Sequence, residues 1–125
     1  MNPSKSKKII YWALTILVAF VFLGSAVGKL TANDDVIKIA SGFGLDVNTY
    51  TILGLVEIVS LILFIFPRTG ILGTILLVAY MGGAIATHLE HNVSILAPCI
   101  VQAVTILVAY YRFPELRSKL LNAQQ

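Results

Sequence analysis

The sequence predicts an all-α fold, a transmembrane four-helix bundle with an up-down course and a short outer-loop helix between the first and second spans. Three observations carry this expectation. The 125 residues are 58% hydrophobic and only 12% charged, about half the charged share of a soluble domain. Their mean hydropathy is +0.88. The apolar residues also fall into four blocks, each close to the ~20 residues that a helix needs to cross about 30 Å of hydrocarbon at ~1.5 Å per residue. The expected spans are residues 9–29, 47–66, 70–89 and 93–112, forming one domain over residues 1–125.

The elements follow in order. Lys5, Lys7 and Lys8 lead into the first span, behind a polar start that includes Pro3. With "GSAVG" at Gly24–Gly28, this lead resembles a secretion signal, but its apolar stretch exceeds the roughly 7–15 residues of a cleavable one. The outer loop "NDDVIKIASGFGLD" (Asn33–Asp46) opens on an N-cap, Asn33. Asp34 and Asp35 follow at the positive end of a helix dipole. Val36, Ile37, Ile39 and Ala40 give this short helix an apolar side, and Gly42 a stop. Asp46 or Asn48 then caps the second span. Pro67 ends that span, and "PRTG" (Pro67–Gly70) is a tight inner turn. A short connection around "EHN" (Glu90–Asn92) leads to the fourth span, with Pro98 tolerated in its first turns. Pro114 closes that span, and Glu115–Gln125 form a tail.

Basic residues orient the bundle. Seven of them (Lys5, Lys7, Lys8, Arg68, Arg112, Arg117 and Lys119) lie on one side, and two (Lys29 and Lys38) on the other. The richer side is expected to be cytoplasmic, with both termini. Tyr11, Trp12, Tyr110 and Tyr111 fit the inner interface and Tyr50 the outer one. The net charge of +3 follows from this arrangement and gives no reason to invoke nucleic acid.

Glu57 is the one charge in "LGLVEIVSLILFIF" (Leu53–Phe66). Counting residues places it near mid-membrane, at the depth of Tyr80 and Gln102 on the third and fourth spans. Tyr80, Ala84, Thr87 and His88 share one helical face, as do Tyr50, Gly54, Glu57 and Leu61, and Pro98, Gln102 and Thr105. Facing inward, they predict a pocket with Glu57, Tyr80 and Gln102 at its base and His88 nearer its mouth. An acid at this depth is costly against lipid. Two roles follow: a neutral carboxyl tied to Gln102 or Tyr80, or a ligand or proton site. Lys29 lies most of a half-bilayer from Glu57 by count, so it is expected among the outer headgroups. His88 is either an interfacial histidine or a pH-sensitive ligand contact. Gly24 and Gly28, and Ala79, Gly83 and Thr87, have the small-residue spacing that lets helices pack closely or dimerise in lipid. Cys99 stands alone, so the chain has no dithiol pair. His88 and His91, with Glu90 between them, are too few for a metal site.

The ordered set "FLGSAVGKL" (Phe22–Leu30), "LGLVEI" (Leu53–Ile58), "PRTGILG" (Pro67–Gly73) and "AIATHL" (Ala84–Leu89) resembles the DoxX-like family of small four-helix integral membrane proteins. The resemblance runs over about residues 8–112, with Gly28, Lys29, Leu30, Glu57, Pro67, Arg68, His88 and Leu89 at matching positions. It implies a bacterial-type cytoplasmic membrane and proximity to membrane redox assemblies. The expected function is the binding of a hydrophobic small molecule, a quinone or a lipid, at Glu57, Tyr80, His88 and Gln102. The alternative is an interaction or assembly factor for another membrane protein. Membrane lipids, a membrane-protein partner and a second copy of the chain are the expected partners. No catalytic motif is apparent.

Overall fold

The computed structural model describes residues 5–31 and 33–121; the polar lead around Pro3, Ala32, and the end of the tail, residues 122–125, lie outside them. Six helices and no strand are described: α1 (Lys5–Thr31), α2 (Asp34–Gly42), α3 (Val47–Ile65), α4 (Gly70–Glu90), α5 (Leu96–Arg112) and α6 (Pro114–Leu121). A 3-10 turn, Pro67–Thr69, joins α3 to α4. By length and composition α1, α3 and the turn with α4 could each cross a membrane; α5 with α6 makes a fourth candidate if that bent pair counts as one. The helices α1, α3, α4 and α5 close a ring in which each packs on two others.

Helix starts and stops follow from the sequence. Asn33 caps α2 by accepting from the Val36 N–H at 2.9 Å, and Asp34 and Asp35 occupy its first turn. Asp46 caps α3 in the same way, accepting from Thr49 N at 2.7 Å. The Thr49 backbone N–H, and after it the Thr49 side chain, hold the Asp46 carboxyl below its usual range. Gly42 ends α2, but the left-handed residue that turns the chain is Gly44, at φ 69°.

Pro67 explains the other end of α3. A proline has no N–H for the carbonyl four residues back, here Leu63; the Thr69 hydroxyl takes that carbonyl instead, at 2.8 Å. The next two carbonyls, of Phe64 and Ile65, accept from the Arg112 guanidinium at 3.1 and 3.0 Å. One arginine thus closes the end of α3 from α5, held among the rings of Trp12, Phe64 and Phe113 at 5.0, 5.1 and 4.8 Å.

The fourth expected span is shorter than its apolar block. Val93 N bonds back to His88 O at 2.9 Å and Asn92 adopts φ 57°, so this segment finishes α4 rather than starting α5. The tail differs as well: Pro114 opens α6, which leaves α5 at 104°.

The core is a stripe along each helix. Phe22, Leu61, Phe64, Leu77 and Val108 are buried at its centre. Large apolar side chains such as Phe20, Ile16 and Leu23 point outward and are exposed. Thr15, Ser60, Thr74 and Thr105 are buried, and each hydroxyl bonds to the carbonyl four residues earlier in its own helix. Such local bonds satisfy a hydroxyl where no water is at hand.

Glycines decide where helices touch, and they are not the expected pair. A Cβ on Gly73 would lie 2.1 Å from the Phe64 backbone N, so α4 rests on the backbone of α3. At Gly24 and Gly28 a Cβ would meet nothing within 4 Å, so that motif does not pack inside the chain. Gly73→Ala should therefore lower the melting temperature sharply, by a loss of about 1–3 kcal/mol or more. Gly24→Ala should leave it unchanged or raise it, helix propensity favouring alanine by up to about 1 kcal/mol. Circular-dichroism melts in detergent check both; equal effects at the two glycines would contradict this packing.

Candidate functional site

The acid of α3 meets a cation. Lys29 Nζ lies 3.1 Å from Glu57 Oε2 in an ion pair, with the Glu57 side chain 2% exposed and that of Lys29 12%. Tyr80 donates its hydroxyl to the same oxygen at 3.1 Å, and Ser25 does so at 3.3 Å. Lys29 also bonds to Ser25 Oγ, one turn earlier on α1. The ammonium lies 5.3 Å from the centre of the Tyr50 ring and 5.8 Å from that of Tyr80. A carboxylate, the Ser25 hydroxyl and two aromatic rings thus surround one cation.

This corrects the expectation that Lys29 is too far away. The count along the helices assumed that the first two spans begin and end level. They do not: a Cβ on Gly54 would touch Lys29 Cβ at 3.0 Å, and Ala26 O at 3.3 Å. Lys29 therefore stands level with Gly54, three residues or about 4.5 Å of rise from Glu57. Its flexible four-carbon stem covers that distance easily. Of the two partners expected for Glu57, Tyr80 bonds to it, and Lys29 joins it there.

The second correction concerns Gln102. Its amide donates to Val78 O of α4 at 3.1 Å and does not touch Glu57. It approaches beside Gly82, where an added Cβ would still be 3.9 Å from Gln102 Nε2. The side chain shares the depth of Glu57 but serves the α4–α5 contact.

Around the ion pair lies a cavity of about 650 Å³. Glu57, Lys29 and Tyr80 line it together with Phe22, Leu53 and Met81. From α4, Ala79, Gly83, Ala84, Thr87 and His88 complete one wall, and Pro98 and Val101 of α5 contribute another side. Ile39, Phe43 and Leu45, from α2 and the turn after it, cover the end away from the chain termini. Of the four expected site residues, Glu57, Tyr80 and His88 face this space, and Gln102 does not. Lys29, Ser25 and Tyr50 belong to it as well. The helical spacing of Ser25 and Lys29, four apart, was the signal available for the first two.

His88 is fixed at both ends. Its Nδ1 lies 2.6 Å from Ala84 O, and its ring packs at 4.7 Å on Phe43. A carbonyl can only accept, so Nδ1 carries a proton, and in the neutral ring Nε2 is left as an acceptor. His91 holds the same cover from outside, with Nδ1 3.0 Å from Thr87 O and its ring 6.1 Å from Phe43.

The pair predicts a specific pattern of stability. Glu57→Gln strands the Lys29 ammonium in an apolar wall and should cost about 3–5 kcal/mol. Glu57→Gln combined with Lys29→Met removes both charges and should recover much of that loss. Thermal melts of the single and double variants give the coupling directly; strictly additive effects would mean that the two groups do not interact.

A search of curated proteins and a search of solved structures each returned no match. A family model described as the DoxX-like family matches residues 13–110. That region contains α3, α4, nearly all of α5 and every residue of the cavity wall. It covers well over half of the chain, which therefore belongs to the DoxX-like family.

Proposed function

We propose that this membrane protein holds a hydrophobic small molecule, a quinone or a lipid, in the cavity beside the Lys29–Glu57 pair, as an accessory to membrane redox chemistry. The observation that carries the reading is the cavity itself. Its volume of about 650 Å³ lies within the range of pockets that take drug-sized guests, and such pockets are mostly apolar with a few convergent polar anchors. Here the body of a guest would lie against Phe22, Leu53 and Met81. Its polar end would meet Glu57, Lys29, Tyr50 and Tyr80, with His88 nearer the α2 end. The chain acts as a holder: it excludes water, orients the polar end and presents it at one level of the bundle. Electron transfer would belong to a partner assembly in a bacterial-type cytoplasmic membrane.

An interaction or assembly role is the second reading. What favours it is the outer face of α1, where Gly24 and Gly28 leave open space that another helix could enter.

Filling the cavity separates the two. Gly83 lines it, and a Cβ there meets nothing within 4 Å. Gly83→Leu should fold normally yet lose a co-purifying apolar molecule, with occupancy down at least about tenfold, the loss of a few contacts at roughly 1.4 kcal/mol per decade. Native mass spectrometry and lipid extraction of the two proteins measure this. Equal occupancy in both would reject the cavity as the binding place.

The up-down course, with both termini in the cytoplasm, belongs to the same proposal and requires α5 to cross the bilayer. Lys38 on α2 and Lys119 on α6 then lie on opposite sides. In a Cys99→Ser background, Lys38→Cys should react with an impermeant maleimide from outside, and Lys119→Cys only after permeabilisation. Outside labelling of both would leave three spans.

A further inference from the structure

We infer that the guest of this cavity carries a neutral hydroxyl donor, as an apolar phenol or alcohol does, and that it donates to the free oxygen of Glu57. The inference rests on reading the cavity as a binding site and adds the chemistry of the headgroup.

The two carboxylate oxygens of Glu57 differ in their partners. All three bonds to Glu57, from Ser25, Lys29 and Tyr80, end on Oε2. Oε1 takes none of them. Yet among the described residues no buried side-chain oxygen or nitrogen lacks a partner. Oε1 is therefore not sealed inside protein, and on a side chain only 2% exposed its opening is the cavity that Glu57 lines. A carboxylate oxygen only accepts. The base of the pocket thus presents an acceptor to whatever enters, in surroundings where a missing bond is costly.

Charge decides which donor. A cationic headgroup would come to lie beside the Lys29 ammonium, already 3.1 Å from Glu57. An anionic headgroup would share the cavity base with the carboxylate. Either would break the balance of the pair in a medium that screens charge poorly. A neutral hydroxyl keeps the balance. An unprotonated quinone or a fully esterified glycerolipid presents only oxygens that accept; these can take a Lys29 N–H but leave Oε1 without a donor. The hydroquinone form, a hydroxylated prenyl or sterol-like lipid, or a monoacylglycerol fits. His88 lines the same cavity; with Nδ1 donating to Ala84 O, a neutral ring there would add Nε2 as a further acceptor. Tyr50 can donate or accept and does not discriminate.

A matched pair of probes tests this. Para-decylphenol and para-decylanisole share one apolar body and differ in the donor proton. Occupancy of the full chain in detergent is measured by native mass spectrometry, against Gly83→Leu protein as the blank for partition into the micelle. The phenol should bind about tenfold more tightly than the ether, the discrimination expected of one hydrogen bond to a charged acceptor. The preference should fall to near parity in Glu57→Met, which removes both oxygens. The variant Glu57→Met with Lys29→Met provides the same reading without a stranded ammonium. Equal binding of the two probes to the unmodified chain would overturn the headgroup assignment while leaving the cavity reading intact. A phenol preference that survives both Glu57 variants would overturn the role given to Oε1. Binding of neither probe above the blank would overturn the cavity reading, and this inference with it.

Discussion

The carboxylate of Glu57 is buried among apolar helices, and much of the bundle is arranged around that fact. A charged group among apolar helices must find a partner inside the chain. The partner is Lys29 at 3.1 Å, and it can arrive only because α1 and α3 lie close. Gly54 makes the approach: a Cβ there would meet Lys29 Cβ at 3.0 Å and Ala26 O at 3.3 Å, tighter than ordinary contact. A side chain at Gly54 would push the two helices apart at the level where the ion pair forms. Sequence position 54 thus controls helix packing, helix packing controls the pair, and the pair sets the chemistry of one end of the cavity.

The opposite end of the bundle answers the same constraint with different chemistry. Pro67 cuts the backbone hydrogen bonds of α3 short, leaving carbonyls that need donors. Thr69 supplies one from within the turn, and Arg112 supplies two from α5. Phe113 then covers Gly70. Polar groups are therefore paired across helices at Glu57, at Gln102 and at the Pro67 turn, while the core between them is apolar and buried hydroxyls such as those of Ser60 and Thr74 turn back on their own helices.

Much of this was legible in the sequence. The long apolar blocks, the caps at Asn33 and Asp46, the turn at Pro67 and the shared face of Tyr80, Ala84, Thr87 and His88 each follow from local chemistry. The small residues of α4 whose spacing suggested close packing, Ala79, Gly83 and Thr87, line the cavity instead. What failed was comparison between helices. Depth was counted separately along each span, as though all were flush, and a shift of α1 against α3 is not written in either helix alone. Gln102 failed for a related reason. A shared depth does not say which neighbour a side chain faces, and Gly82 gave it a backbone carbonyl on α4. The glycines of α1 carry the spacing of a packing motif but the structure leaves them on the outside, because Ala26, not Gly24 or Gly28, faces α3.

The cavity survives because the helices that form it are held apart by things other than its own lining. Small residues in lipid favour close backbone approach, which alone would have closed the space beside Gly83. But α3 and α4 are already committed to each other near Gly73, and α1 and α3 at Gly54, so neither can slide in to fill it. At the α2 end, the Phe43–His88 stack keeps the short helix over the opening. Gly44 turns the chain there in a conformation that other residues adopt at a cost, and a Cβ on it would press on His91 Nε2 at 3.2 Å. The cover is therefore fixed to α4 by side chains while its backbone bends at a glycine. The same residues that give the cavity its polar lining, Glu57 through Lys29 and His88 through Phe43, are the ones that hold its walls in position, so the cavity is a consequence of how the charges and rings of the bundle are satisfied.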